Sequence, residues 1–415
     1  MLRYEWKKVF SKFKNRITVL LLLVILIITS ILTINRVEYV DGSGNHSSGI
    51  SAARKLRAEK NKWEGYLTEE VFQEVVKTNA KIANSQAALS QDIDEQNKEY
   101  AKKQGFQGIA DLINNAFSEW RDYNYYAIDT VSAEDAKQVY DKRISNLKEW
   151  LDSGEETFTE GQKNYLIHQY ESLKTPFYYK YVDGWSALLQ NISTFILILA
   201  LIIGFLVSGI FSDEFQAKAD SIFFSSKLGR NKAILSKMGA GFLITSVFYI
   251  VFVLLYTFIV LWALGADGAN CPIQLDLWRS IYNITFFQAY LLIAAGGYIG
   301  TLFASTLSML VSAAARSTAT AIIVPFILLC AFPFLSRIIT LPQICSFFPD
   351  QLLEVYISIK DFALVEIGGK VMDIAGVILP AYLAACCSSL YCIVFIKKRK
   401  YDNPNQSWLY CNNFL

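Results

Sequence analysis

Apolar residues in this chain come in long blocks separated by polar stretches, not in the residue-by-residue alternation of a half-buried sheet. Residues 17–34 hold no charged side chain. As a helix they reach about 27 Å, close to the thickness of a hydrocarbon core. Runs of similar character occupy 187–211, 238–264, 284–312, 318–336 and 374–396, so the pattern predicts six membrane spans. Pro325 and Pro333 interrupt the fifth, which is tolerable only where other protein covers the freed carbonyls. The stretch 337–373 is too charged to cross and is broken by Pro342 and Pro349. Short re-entrant or interfacial helices on the outer side are expected there.

Between the first two spans, 35–184 is polar and holds 19 of the 39 basic residues. Its opening, residues 41–49 (DGSGNHSSG), has the composition of a flexible linker. Helical spacing follows: Phe72, Val75, Val76, Asn79 and Ile82 after Thr68; Tyr140, Ile144, Leu147 and Leu151 after Ser132-x-x-Asp135; Leu166, Tyr170 and Leu173 after Thr159-x-x-Gln162. A mostly helical extracellular domain is expected. The fold class is therefore an all-α membrane protein, six transmembrane helices with that domain inserted between spans 1 and 2. Two aromatic runs, Trp120–Tyr126 and Phe177–Tyr181 with Trp185, offer a binding face for a peptide or lipid headgroup. The preferred readings are plainer: domain core for the first and an interfacial aromatic belt for the second.

Charge sets the orientation. Residues 1–16 place Leu2, Trp6, Phe10 and Phe13 on one helical face with six basic side chains around them, the make-up of a helix lying on anionic membrane lipid. No small-residue cleavage pattern follows, so a retained first span is expected and not a signal peptide. Short connections on one side carry sixteen basic residues and those on the other carry four, which puts both termini, including the 397–415 tail, in the cytoplasm. The 415 residues are 53% hydrophobic, too apolar for an ordinary soluble chain, and a net charge of +2 gives no bulk attraction to nucleic acid. None of the seven cysteines has metal-ligand spacing to His46 or His168, and whether Cys271 and Cys345 pair across predicted outer loops stays open. The chain has no P-loop, zinc-hydrolase or nucleophile-elbow motif, so it is expected to be no enzyme and to bind no cofactor itself. The predicted span interiors contain no Asp, Glu, Lys or Arg, which disfavours an ion-driven carrier.

The chemistry gathers at 212–237, which carries five basic residues between two apolar runs. Phe215, Ala219, Ile222 and Phe223 fall on one face of a short amphipathic helix. Asp213, Glu214, Lys218 and Asp220 would each cost about 2.5–3.5 kcal/mol in hydrocarbon, so the segment belongs at the surface or on a partner. We read it, through Lys237, as a docking surface, with Phe215, Ile222, Phe223 and Phe224 as apolar anchors and Glu214, Lys218, Arg230 and Lys232 fixing register. The alternative is a solvated loop that only holds the topology. In the fourth span, Gly296, Gly300, Ala304, Ser308 and Ser312 form a stripe of small residues, read as helix packing, with a substrate path as the alternative.

This layout resembles the membrane-spanning permease subunits of ABC transporters of the type-2 exporter class. Glu214, Arg230 and Lys237 match an acid near the end of the second span, an arginine in the following turn and a lysine before the third. A glycine often found after the acid is missing from 215–218, and a proline common before the arginine is missing from 226–229. The large helical insertion is similar to that of Gram-positive permeases for antimicrobial-peptide export or resistance. The resemblance implies a separate ATPase subunit that docks on 212–237 and carries ATP and Mg. It also implies a second permease copy or relative, a bacterial plasma membrane, and efflux of an amphiphilic substrate, a peptide or a lipid. A non-transporting sensor or scaffold with an extracellular ligand-binding domain is the other reading.

Overall fold

The computed structural model describes residues 1–219, 232–331 and 346–402, with side chains through 395. Ile222, Phe223, Phe224, Arg230, Pro333, Pro342 and Cys345 lie outside the described residues. A first helix, α1 (Leu2–Ser11), stops at Lys12, whose extended backbone (ψ 128°) separates it from α2 (Phe13–Ile34). The break therefore precedes the expected one at Arg16. On α2, Leu20, Leu21 and Leu23 face outward while Leu22, Leu26, Ser30 and Thr33 form a buried stripe. Thr33 Oγ1 and Tyr256 Oη share a hydrogen bond of 2.7 Å.

The inserted domain opens with a hairpin of β1 (Glu38–Val40) and β2 (His46–Ser48), where composition suggests a linker. Asp41 holds its turn by accepting from Ser43 N at 2.9 Å and Asn45 N at 3.0 Å, with Gly44 at φ +87°. Gly, Ser and Asn here encode a turn, not a tether. Then come α3 (Ile50–Lys60), β3 (Gly65–Tyr66), α4 (Glu69–Ala83), α5 (Ile93–Lys103), α6 (Gln107–Ala116), α7 (Ala127–Thr130), α8 (Val139–Ser153) and α9 (Glu160–Glu171). The strand β4 (Tyr178–Tyr179) returns to pair with β3. The expected core positions Phe72, Val75, Val76, Leu147, Leu151 and Leu166 are buried, and the Thr159–Gln162 capping box is formed. Phe177, Tyr179, Tyr181 and Trp185 are each at most 5% exposed, so this second aromatic run is core between the domain and the next helix, not an interfacial belt. The first run divides. Trp120 stacks on Trp150 at 5.0 Å, whereas Tyr125 and Tyr126 are exposed.

Long helices follow: α10 (Asp183–Gln216), α11 (Ile234–Leu264), α12 (Phe286–Ala315), the shorter α13 (Thr318–Cys330) and, after α14 (Val355–Lys360), β5 (Leu364–Ile367) and β6 (Lys370–Asp373), the last helix α15 (Ile374–Asp402). Among the described residues, five helices (α2, α10, α11, α12 and α15) are long and apolar enough to cross a membrane. The described part of the expected fifth span is a helix of 13 residues. Within 337–373, where short helices are expected, α14 is one, and residues 364–373 add a β-hairpin. Gly368 and Gly369, at φ +59° and +78°, supply the mirror-image turn that a two-residue hairpin needs.

The stripe on α12 is a packing seam. A Cβ on Gly296 would meet Val355 Cγ2 at 2.5 Å, and one on Gly300 would meet Leu353 Cδ2 at 2.6 Å. Farther along, Ala304 and Ser308 face α10 and α13 across a cavity of about 30 Å³, the scale of one water molecule. Pro325 cannot donate to the Ala321 carbonyl one turn earlier, and Ser308 Oγ donates to that oxygen at 2.7 Å. The hydroxyl also lies 3.1 Å from Gly204 O on α10, so one side chain serves two neighbouring helices. Asn191 and Thr301 bond to carbonyls of their own helices, and Gln288 caps α12 through Thr285; none of them makes the interhelical bond its polarity suggests.

Arg143 on α8 fastens the inserted domain to the connection between α11 and α12. It is 3% exposed, donates to Trp278 O at 3.1 Å and Ser280 O at 3.0 Å, and lies 3.7 Å from the Tyr170 ring centre. Tyr170 Oη adds a bond to Arg279 O at 2.7 Å. Carbonyl dipoles and an aromatic face stand in for a carboxylate.

Two outcomes are expected from thermal unfolding of the purified chain in nanodiscs. Arg143→Met should lower stability by roughly 2–4 kcal/mol, with Arg143→Lys failing to restore it because an ammonium lacks the planar stack. Ser308→Ala should cost about 1–3 kcal/mol, and at least about 1 kcal/mol less in a Pro325→Ala background, where the restored N–H satisfies Ala321. An equal cost in both backgrounds would dissociate the serine from the proline.

Candidate functional site

At one end of the bundle, α10 finishes on Asp213 and Glu214 and α11 begins around Lys237. Both charges sit against the helix dipole, which favours cations at a C-terminus and anions at an N-terminus. Their placement is explained by each other. Lys237 is fully buried, and its ammonium reaches Glu214 Oε1 at 2.8 Å, Ile210 O at 2.9 Å and Glu5 Oε2 at 3.2 Å. Those contacts match its three protons. Glu214 Oε1 also accepts from Lys8, and Asp213 from Lys12. Lys8, Lys12 and Lys237 thus balance Glu5, Asp213 and Glu214 at the junction of α1, α10 and α11.

Apolar contacts seat the same helix. Val9 is buried, with Trp6 and Phe10 packed beside it against Val207, Ile210 and Phe211. Phe10 stacks on Phe248 of α11 with centres 5.5 Å apart. The face that α1 turns inward therefore carries Glu5, Val9, Lys8 and Lys12, while the expected apolar members Leu2 and Phe13 are exposed. Beside the charges lies a hydroxyl cluster: Ser212 N donates to Ser312 Oγ at 2.9 Å, Ser212 Oγ and Thr318 Oγ1 are 2.6 Å apart, and Gln216 Nε2 donates to Thr318 Oγ1 at 3.2 Å. It joins α10, α12 and α13. Ser308 and Ser312, read from sequence as packing residues, make these cross-helix bonds.

The boundaries of the 212–237 segment shift accordingly. Glu214 and Phe215 belong to the last turn of α10, and Lys237 to α11. Of the short amphipathic helix expected through Phe215, Ala219, Ile222 and Phe223, the described part is interrupted: α10 ends at Gln216 and Lys218 takes φ +55°, turning the chain, while Ile222 and Phe223 lie outside the described residues. Ala219 N bonds to Glu214 O at 2.9 Å and Lys218 N to Phe215 O at 3.0 Å, the double closure of a Schellman cap without the usual glycine. Phe215 is half-buried with Arg316 above its ring at 5.1 Å, and Lys218 and Lys232 are exposed. Glu214 and Lys237 thus turn inward, onto this chain. Sequence reading missed Glu5 and Lys8 as their partners and the Lys12–Asp213 pair beside them. The signal was present in the spacing of Glu5, Lys8 and Lys12 along one helical face opposite an acidic pair. Cys271 is a buried free thiol, and Cys345 is among the residues not described.

Lys237→Met should destabilise the chain by about 3–5 kcal/mol by leaving Glu5 and Glu214 short of a buried partner, and adding Glu214→Gln should recover a large part of that loss. Differential scanning calorimetry in nanodiscs reads both; additive losses would mean the two side chains act independently.

Residues 6–347 match the model of a family described as ABC-2 family transporter protein. No curated protein and no solved structure compared with the chain matches it. A match over most of the chain, on a body of membrane-length helices tied by buried ion pairs, places it: the chain belongs to the ABC-2 family of transporters, as a multi-pass permease component of an ATP-binding-cassette system.

Proposed function

We propose that this chain is one membrane half of an ATP-driven exporter in a bacterial plasma membrane. A separate ABC ATPase subunit, carrying ATP and Mg, docks at the α10–α11 connection, and a second copy or relative of this chain completes the unit. The spans number six, α13 opening the fifth. The termini and the connection lie in the cytoplasm, and the 35–184 domain lies outside. The substrate is amphiphilic, an antimicrobial peptide or a lipid.

The observation that carries this reading is the ion-paired junction of Lys237, Glu214, Glu5 and Lys8. It ties the two ends of the connection to each other and to α1, so a push on the connection reaches three helices together. Exposed Arg3, Lys7, Lys14 and Arg16 around it support a cytoplasmic face against anionic lipid. The docking contacts themselves belong to Phe223 and Arg230 with the exposed Lys218 and Lys232, while Glu214 and Lys237 hold the base.

The test separates these roles. Phe223→Ala with Arg230→Glu should reduce co-purification of the ATPase roughly tenfold or more and uncouple its hydrolysis from transport, with the melting temperature of the permease unchanged. Normal co-purification and transport in that double variant would defeat the docking assignment.

A further inference from the structure

Where the inserted domain meets the start of α10, polar groups gather around the Lys60–Asp183 attachment, some of them without partners among the described residues. Lys60 at the end of α3 pairs with Asp183, the first residue of α10, at 2.7 Å. Asp111 on α6 accepts from Gln107 Nε2 at 2.9 Å and from Tyr123 Oη at 3.3 Å, and no cation pairs with it among the described residues. Between them Tyr179 is 2% exposed, yet its hydroxyl has no hydrogen-bond partner, and neither has Asp183 Oδ2. The Tyr179 hydroxyl lies 3.2 Å from where a Cβ would stand on Gly108, one turn before Asp111, so a side chain there would crowd it. A buried hydroxyl without a partner is costly to the fold, and a ligand that supplied the bond would relieve that cost.

The surroundings define the ligand. Two carboxylates face one ammonium, so the cluster carries a negative excess. Tyrosines flank it on the side toward solvent: Tyr100 is 46% exposed, and Tyr123, which donates to Asp111, meets exposed Tyr125 edge to face at 4.6 Å. Burial also holds the Asp111 carboxyl above its usual range, a cost that a neighbouring cation would relieve. We infer that Asp111, Tyr179 and the Lys60–Asp183 pair, entered past Tyr100 and Tyr123, bind a cationic group, a primary ammonium or guanidinium carried on an amphiphilic ligand. Ring faces and a carboxylate together suit such a group better than either alone. The assignment rests on the exporter reading for its meaning as substrate recognition, but binding itself needs only this chain.

The experiment uses the full chain in phosphatidylcholine nanodiscs and a fluorescein-labelled amphipathic peptide with four lysines, read by anisotropy. Acetylating those lysines should weaken binding roughly tenfold, and so should Asp111→Asn, the size expected for one charge-assisted contact. Tyr100→Leu, at a half-exposed position, should weaken binding severalfold without lowering the melting temperature. Glu134→Gln, remote on the surface, should change nothing. Equal affinity for the native and acetylated peptides, or unchanged affinity in both Asp111→Asn and Tyr100→Leu, would overturn the inference. Loss of ATPase co-purification with peptide binding intact would defeat the exporter reading and leave this site standing.

Discussion

The ammonium of Lys237 is the constraint around which one end of this molecule is built. A lysine with no exposed surface survives only if every proton finds an oxygen, and here two carboxylates and a helix carbonyl provide them. Satisfying it forces three choices elsewhere. Glu214 must end α10 against the helix dipole, α1 must lie across the base of α10 and α11 to deliver Glu5, and Lys8 must follow to balance the second acid. The apolar contacts of Val9 and Phe10 then seat a helix whose position the charges have already fixed. A buried network of this kind adds less net stability than an apolar one would, and its return is a single defined arrangement of three helices.

Deeper in the bundle the same demand is met by hydroxyls. Pro325 frees a carbonyl in an environment with few donors, and Ser308 answers it. Ser212, Ser312 and Thr318 repeat the solution nearer the junction. On the same stripe of α12, Gly296 and Gly300 admit the 352–355 segment, while Ala304 lies beside Ser308 on the side facing α10 and α13. One helix thus uses small residues for close packing toward one neighbour and hydroxyls for polar satisfaction toward two others.

Most of the membrane architecture was legible in the sequence because apolar block length is a one-dimensional property. Residues 17–34, 187–211 and 238–264 fall inside α2, α10 and α11. What failed was local and depended on single backbone angles or distant partners. Residues 41–49 look like a tether, yet Asp41 closes them into a turn; the Gly368–Gly369 pair signals a hairpin that its charged surroundings hid. Lys218 in a left-handed cap is unreadable, because that position ordinarily calls for glycine. The inward turn of Glu214 and Lys237 depended on α1, more than two hundred residues away in sequence; the spacing of Glu5, Lys8 and Lys12 marks a charged face but not what that face meets. Phe177, Tyr179 and Tyr181 were mistaken for a belt since an aromatic run beside a span has the same composition whether it meets lipid or the underside of a domain.

The inserted domain is joined to the membrane helices by contacts that leave little room for independent motion. Arg143 grips the α11–α12 connection, Tyr181 Oη donates to the last carbonyl of α11 at 3.0 Å, and Lys60 holds the first residue of α10. These attachments sit at the end of α10 opposite Glu214. A ligand that displaced Lys60 from Asp183 would change the anchoring of the same rigid helix whose other end is locked by Lys237. Helices transmit such a change only if the bundle has two arrangements that differ at both ends, and a ligand can bias them by no more than its difference in affinity for the two. The cross-helix bonds of Ser212, Ser308, Ser312 and Thr318 tie α10, α12 and α13 at defined positions, so any rearrangement of these helices has to break or exchange them.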